Sequence, residues 1–503
     1  MKTHIKTQSY LRLYDELKQN RAPWQAVWKE LSAYIAPTRG LFSPEDVHTG
    51  KKINHKVLLD SSAGLAAEVL SAGMMSGLTT PARSWFRLTV SPAPLMRLPE
   101  LSAWLNEATQ VLEDTFAKSN LYGVLHGFYH EIAVFGTAAM LVEEDLKKGV
   151  HARLFTAGEY VLGTDEKGTI NTFGREFFMN AQQLAESFEK QYLPPQILQE
   201  ANEEKRGRSY KIFHLILPNK NYQASCLDNQ HFPFSSVYFM EDGTLLRESG
   251  YYEFPVIAAR WEVKNPSEAY GRGPGWKCLG DVKMLQKMQK TKLVALDKNT
   301  NPPMMVSANV QGEVNLLPGG ITRYNGTTDA AVKPAYQIEP DLQALDQSIE
   351  QVRALIRAQF FADVFTLLSQ QDFSNKTATE VAELRAEKML VLGPVLERLK
   401  NELLDPLIDR VYHILQRQGA LPVSPFFWQG TPLRTEYTSL IAQAQKKDDS
   451  QTVVQGIEFI DRLAELSPSI LSHVDLQRAL DKAFERLGLS YLLKENTSIP
   501  SEK

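Results

Sequence analysis

From Asn375 to Gly419 the chain reads NKTATEVAELRAEKMLVLGPVLERLKNELLDPLIDRVYHILQRQG. Apolar side chains recur there at three- and four-residue steps, through Val381, Leu384, Leu392, Val395, Leu396, Leu399, Leu403, Leu407, Val411, Ile414 and Leu415. That spacing draws one stripe along one helix. Thr377 and Glu380 form a capping box at its start, and Gly419 stands where a left-handed residue closes a helix. At 1.5 Å per residue the element spans roughly 60 Å, against roughly 10–14 residues for an ordinary globular helix. Gly393, Pro394 and Pro406 fall inside the pattern, so the expectation is a long helix kinked at Gly393-Pro394 rather than a straight one. A stripe of this length needs neighbours to cover it. Taken alone, it fits the core helix of a helical domain equally well.

The chain before it changes the balance. Residues 9–36 read as a helix with Leu11, Tyr14, Leu17, Trp24, Trp28, Leu31 and Ile35 on one side, broken or restarted at Pro23. Val57 to Leu78 is a helix rich in Ala, Gly and Ser, which lets backbones approach and predicts burial against other helices. Trp85-Phe86 opens a short strand, and Glu100–Ser119 and Tyr122–Phe135 are two further helices. From Ala138 to about Arg260 the period changes to alternating strand-like runs separated by Gly, Asp and Asn, with one helix, Asn180–Glu189, among them. The fold class expected is α+β.

Tyr270-Gly-Arg-Gly-Pro-Gly275 breaks this pattern and reads as a boundary or hinge. Trp276–Asn299 is then a helix whose surface carries Lys277, Lys283, Lys287, Lys290, Lys292 and Lys298 against Asp281 and Asp297. After a short β-rich insert comes a second helix, Asp341 to Phe365. Glu339, Asp341, Asp346, Glu350 and Asp363 on or before it outnumber Arg353 and Arg357. Both helices have about 24 residues and so run about 36 Å. Equal helices around a small insert predict an antiparallel pair, and apolar stripes so narrow call for identical copies as neighbours. The polar stretch 369–375 leads into the long helix. Beyond Gly419, a strand-like LRTEYTSLI is followed by helices at 440–465 and 474–487 and a polar tail.

Charge and motif exclude several classes of function. Net charge is −4, which is not the footprint of a sequence-specific nucleic-acid binder. Cys226 and Cys278 form neither a CxxC nor a disulfide framework, as expected for a reducing compartment. The amphipathic N-terminus does not resemble a signal peptide, and Ile132–Val142 is too short to cross a bilayer, so no membrane association is expected. The chain has no P-loop, no GxGxxG and no GxSxG. His126 and His130 have metal-ligand spacing but no third ligand and a displaced glutamate, and read as helix-surface histidines. Glu143-Glu144-Asp145 reads as a solvated turn. No catalytic, cofactor or metal residue is assigned, and no enzyme activity is expected.

Several stretches in this order carry a resemblance: Arg21-x-x-Trp24-x-x-x-Trp28, Tyr34-x-x-Pro37-x-Arg39-Gly40, Leu78-Thr-Thr-Pro81-x-x-x-Trp85-Phe86, Arg260-Trp261, Tyr270-Gly-Arg-Gly-Pro274, Asn301-Pro-Pro303, Thr377-Ala-Thr-Glu380, Leu392-Gly-Pro394 and Pro406-Leu-Ile-x-Arg410. Together they resemble the portal proteins of tailed bacteriophages, in particular the head-to-tail connectors of short-tailed phages, over residues 10–440. The resemblance implies a ring, usually of twelve subunits, at one capsid vertex, through which double-stranded DNA enters and leaves. It implies a wing (1–270), a first stem helix (271–299), a clip (300–337), a second stem helix (338–365), a channel loop (366–376), a long wing helix with its following strand (377–439), and a crown with a C-terminal tail (440–503). The implied partners are the terminase large subunit, tail adaptor and tail proteins, and scaffold and major capsid proteins. The implied place is the virion, after assembly in the host cytoplasm.

On that reading Gln370, Gln371, Asp372, Phe373, Ser374, Asn375 and Lys376 form the DNA-channel loop, and Asp346, Glu350, Arg353 and Arg357 line the stem channel. Each lysine–phosphate contact adds salt-dependent grip, so a sliding channel wants few of them. Lys376 and Arg357 are the expected lumen cations, the bland alternative being ordinary helix-end charges. Two other classes stay open on the residues alone, a cytoplasmic helical scaffold or adaptor and an enzyme with an unrecognised site.

Overall fold

The computed structural model describes residues 2–43, 57–90, 98–203, 208–226, 228–306, 314, 332–334, 341–369, 392–425 and 433–438. Of the expected channel loop 366–376, residues 366–369 belong to a helix instead, and residues 370–376, the capping box at Thr377 and the crown lie outside the described residues. Helix α1 (Lys2–Tyr34) runs straight through Pro23, where a break was expected. One missing N–H is outweighed by the anchors on either side, since Tyr14, Trp28 and Leu31 are buried. Helix α2 (Ser62–Leu78) starts later than its small-residue run, and strand β1 (Phe86–Val90) follows. Helices α3 (Pro99–Lys118) and α4 (Leu121–Phe135) match the expected spans to within a residue or two.

Strands β2 (Thr137–Asp145), β3 (Gly149–Phe155), β4 (Tyr160–Thr164) and β5 (Ile170–Asn180) come next. Two short helices, α5 (Ala181–Ser187) and α6 (Pro195–Asn202), follow where one was expected. The second opens on Pro194-Pro195, which serves as a helix start rather than a break. Strands β6 (Ser209–Pro218), β7 (Phe234–Met240), β8 (Leu245–Tyr251) and β9 (Val256–Arg260) complete the β part. They make two antiparallel sheets, β3-β2-β9 and β4-β5-β6-β7-β8. Glu143 and Glu144 close β2 rather than forming a turn; Asp145 caps the hairpin by accepting from the Lys147 and Lys148 amides.

Alternation in the larger sheet sets its layers. One face (Val161, Phe213, Leu215, Val237, Phe239) packs under Tyr14 and Leu17 of α1. On the other, Ile212, Tyr238 and Met240 meet α5 and α6, while Phe173 and Ile216 join the main core. That core is built around α4, whose apolar residues from Phe128 to Phe135 are buried on every side.

Helix α7 (Pro274–Thr300), the paired strands β10 (Met304–Val306) and β11 (Val332–Pro334), and helix α8 (Leu342–Gln359) follow. The expected single helix to Phe365 is broken: α8 stops, Phe361 takes φ 55°, and α9 (Ala362–Ser369) starts again. The left-handed residue costs about 1–2 kcal/mol. The turn seats Phe360 and Phe365 in the core, and burial of such a side chain is worth about 1.5–3 kcal/mol each. The described part of the long helix comprises α10 (Gly393–Leu399), a π-turn (Lys400–Leu404) and α11 (Asp405–Arg417), before strand β12 (Leu433–Tyr437) pairs with β1.

Candidate functional site

The helix pair α7/α8 is antiparallel. Gln359 donates to Asp281 at 2.9 Å near one end, and Lys292 pairs with Asp346 towards the other. Cys278, Val282 and Leu285 of α7 and Ile349 and Ile356 of α8 are buried. Between its ends α8 carries no acid excess: Asp346 and Glu350 balance Arg353 and Arg357. Asp346, Glu350, Arg353 and Arg357 fall on one stripe of α8, and each has a partner in the chain. Arg357 reaches Glu350 at 2.8 Å, and Arg353 reaches it at 3.4 Å.

Arg353 is also tied to the buried Asp60, just before α2, which it contacts at 2.7 Å. Gln286 closes the same joint by accepting from the Leu59 and Asp60 amides and donating to the Asp60 carbonyl; Gln289 donates to the Asp60 carboxylate at 3.0 Å. Burial opposes ionisation of Asp60, but hydrogen bonds from Ser62, Arg353 and Gln289 outweigh it and hold its pKa below the usual value. Both helices of the pair are thus locked to α2 through one carboxylate. No local pattern marks Asp60; its role appears only when three distant segments meet.

The pair leaves unlike faces uncovered, one on α7 that mixes apolar side chains with Lys287 and Lys290 and one on α8 that carries no charge. On α7, Gly280 has open space where a Cβ would stand, and Met284 and Val294, on the same side, are 45% and 44% exposed. On α8, Leu355 is 47% exposed, and Ala344, Gln351, Ala354 and Ala358 beside it are exposed and carry no charge. By helical spacing these faces lie on the far sides of the pair, away from the buried contact. The Asp281–Gln359 and Lys292–Asp346 bonds put Gly280 level with Ala358 and Val294 level with Ala344.

The segment 270–275 is no hinge. Gly136 ends α4 at φ +80°, and a Cβ there would lie 2.4 Å from the Gly271 carbonyl oxygen and the Gly273 nitrogen. Gly273 and Gly275 pack against the Ile132 and Val134 carbonyls just as closely. The glycines are there so that two backbones can touch. The Phe135 carbonyl accepts the indole N–H of both Trp28 and Trp276, at 3.1 Å each, and Tyr270 accepts the Leu162 amide at 2.9 Å.

The long helix is anchored by charge. Glu402, in the π-turn, takes the Arg260 guanidinium at 2.7 Å and the Arg260 amide at 2.8 Å. Glu253 holds Arg410 at 2.6 Å and Arg417 at 2.7 Å. The widened turn leads into Pro406, which has no N–H to offer the preceding turn. Gly393 and Pro394 stand in the first turn of α10, where proline's missing donor costs nothing.

His130 is buried, not on the surface, although His126 is exposed. Burial first, then Arg39 and His126, push its pKa down to about 3, so it is neutral. Beside it Glu131 is fully buried and accepts from Arg39, Thr156 and the Ala157 amide. Burial raises its pKa despite those donors. Among the described residues no group of acidic, His and Cys side chains could hold a metal, and no helix is long and apolar enough to cross a membrane.

A family model described as bacteriophage head to tail connecting protein matches residues 7–491. The chain belongs to that family. It is 36% identical over 485 residues to the portal protein of Salmonella phage epsilon15, covering 95% of this chain and 87% of that one. It is 35% identical over 484 residues to the probable portal protein of Bordetella phage BPP-1, with the same coverage of 95% and 87%. Among solved structures it is similar to a chain of the virion of a native gene transfer agent particle, at 10% identity and TM-score 0.35, covering 86% of this chain and 95% of that one. A chain from the neck of the empty particle gives 10% identity and TM-score 0.32, over 78% and 84%. The head-to-tail connecting family is thus shown by sequence.

Proposed function

We propose that this chain is one subunit of a closed ring, of twelve copies, at a capsid vertex, conducting double-stranded DNA into the head and out of it. The reading is structural rather than catalytic. Residues 1–270 with the long helix form its outer body, α7 and α8 its stem, 300–337 the clip, the end of α9 and residues 370–376 the channel segment, and 440–503 the crown. The clip would meet the terminase large subunit and later the tail adaptor and tail proteins. The body would meet scaffold and major capsid proteins during assembly in the host cytoplasm, and the finished ring would sit in the virion.

The observation that carries the reading is the pair of unlike exposed faces, one on α7 where Met284 and Val294 stand among Lys287 and Lys290, the other uncharged on α8. Around Gly280, Met284 and Val294 on one side, and Leu355 and Ala358 on the other, apolar surface faces solvent at matching heights. A head-to-tail contact between such unlike faces closes into a ring when copies rotate about an axis along the helices. Neutralisation of the Asp346, Glu350, Arg353 and Arg357 stripe inside the chain supports a wall with little grip on phosphate. Arg357 and Lys376 remain the proposed cations of the lumen, with Gln370, Gln371, Asp372, Phe373, Ser374 and Asn375 as the loop around the duplex.

Negative-stain imaging of the purified chain tests this directly. Rings with a hole wide enough for a duplex are expected; compact particles without a hole would sink the reading. Reversal of Arg357 or Lys376 to Glu should change DNA packaging and leave the rings intact.

A further inference from the structure

Across the larger sheet, the strand register sets Tyr160, Arg175, His214, Tyr238 and Arg247 in one line, each opposite the next on β4, β5, β6, β7 and β8. Directly opposed residues of antiparallel strands point to the same face, so this is a polar seam. It runs between two apolar clusters, Ile212 and Met240 under α5 and α6 on one side and Phe173 and Ile216 on the other. The seam is stacked tight. His214 lies parallel to Tyr238 with ring centroids 3.8 Å apart, and Arg247 covers the other part of Tyr238 at 4.4 Å. Arg175 rests on Phe177 at 4.3 Å and on Phe155 at 5.2 Å.

The donors of this seam outrun its acceptors. Arg175 is 4% exposed, yet its Nε and Nη1 have no hydrogen-bond partner among the described residues. His214 is fully buried; its Nε2 meets the Ser236 hydroxyl at 3.1 Å, and its Nδ1 meets nothing. Arg153 and Arg247 stand at the exposed edge. Glu159, 3.9 Å from Arg153, is the acid of the cluster. Three arginines stand against one glutamate, and although Arg175 also bonds Tyr238, buried guanidinium donors left without an acceptor are costly. Burial foremost, and then the surrounding arginines, keep His214 neutral.

We infer that this seam is a binding site for a small tetrahedral oxyanion of the phosphate class, held by Arg175 from within and by Arg153 and Arg247 at the mouth. A donor without a partner on a buried guanidinium, with a cation on either flank, suits an ion that accepts from several directions and carries two charges. Arg175 is too deeply buried for a polymer backbone to reach it.

The test is thermal unfolding of the full chain titrated with inorganic phosphate, and separately with acetate, each against chloride at equal ionic strength. Phosphate should give a saturable rise in midpoint, about 3 °C at a hundredfold excess over its dissociation constant. Arg175→Gln should abolish the saturable part, and Arg247→Gln should weaken it about tenfold, each variant keeping the general salt response. If Arg175→Gln does not fold, the exposed Arg247→Gln decides alone. Equal curves for phosphate and chloride would overturn the site, as would saturation untouched by Arg247→Gln. Saturation by acetate alone would overturn the phosphate class. Ring formation enters none of these readouts, so they stand apart from the proposal above.

Discussion

The body around α4 and the helix pair α7/α8 solve the same problem in opposite ways. The body buries most of its apolar side chains within one chain and bonds most of its buried polar ones there too, with Arg175 and His214 as exceptions. Trp28, Trp276 and Tyr270 all hydrogen-bond around the Phe135–Gly136 crossing, and Glu131 has three donors. The pair buries one narrow stripe, pairs the charges of the α8 stripe, and leaves Met284, Val294 and Leu355 in solvent beside Lys287 and Lys290. A protein that worked alone would gain by covering those side chains. The comparison teaches that the body is finished by folding, and the pair only by assembly.

The largest way to break the comparison is at the backbone crossing. Gly136→Val puts a branched side chain at φ +80° and 2.4 Å from a carbonyl, and should cost about 4 kcal/mol or more, read as lost cooperative unfolding in urea. Next comes Glu402→Gln, which leaves Arg260, a buried guanidinium, short of its counter-charge. About 3 kcal/mol is expected, measured by the same denaturation midpoint. Asp60→Asn should cost less, about 1–2 kcal/mol, because Arg353 is one-third exposed and the solvent screens its loss. That loss should appear as faster hydrogen exchange confined to α7 and α8.

Acid acts on the two regions with the same sign but in different pH windows. The buried His130, faced by Arg39 and His126, has a folded pKa of about 3, below the ordinary value of about 6.5. Between those values the unfolded chain binds the extra proton, so stability falls as pH drops from about 6.5, by up to 1.4 kcal/mol per unit for such a group. His214 in the body acts in the same direction. The lowered pKa of Asp60 works at the other end: its contribution is present above about 3.9 and is lost only as pH falls through the lower folded value. From pH 6.5 to 4 the body should therefore loosen while the Asp60–Arg353 joint holds, which exchange resolved by region would show. A uniform loss across both would remove the distinction. The smallest effect on the isolated chain is expected from Met284→Ser and Leu355→Ser, within about 0.5 kcal/mol of the parent. The same two changes should reduce rings to single subunits in negative stain, and rings that survive both would break the assembly half of the comparison.

Much of this was legible in the residues. The helix-to-strand change of period near Ala138, the antiparallel helices around a short β insert, and the family resemblance all follow from local spacing and motif order. Local spacing failed wherever a distant contact decided. Pro23 does not break α1, because Tyr14 and Trp28 hold both flanks. Phe361 does break the helix after α8, because Phe360 and Phe365 are drawn into the core. His130 looked like a surface residue beside His126, yet one more step round the helix puts it inside. The glycines at 271–275 read as a hinge by composition and serve as a close packing contact in space.

By itself the sequence determined which segments are helix and which are strand, that the class is α+β, and which family the chain belongs to. Those properties live in periodicity and motif order, which are written along the chain. Only the tertiary structure decided that Asp60 locks the helix pair, that Glu402 anchors the long helix, and that the charged stripe on α8 is spent on internal partners. They depend on burial and on charges that the fold brings together from as far as 293 residues apart, and the energy of such pairs is set by their surroundings rather than by their spacing.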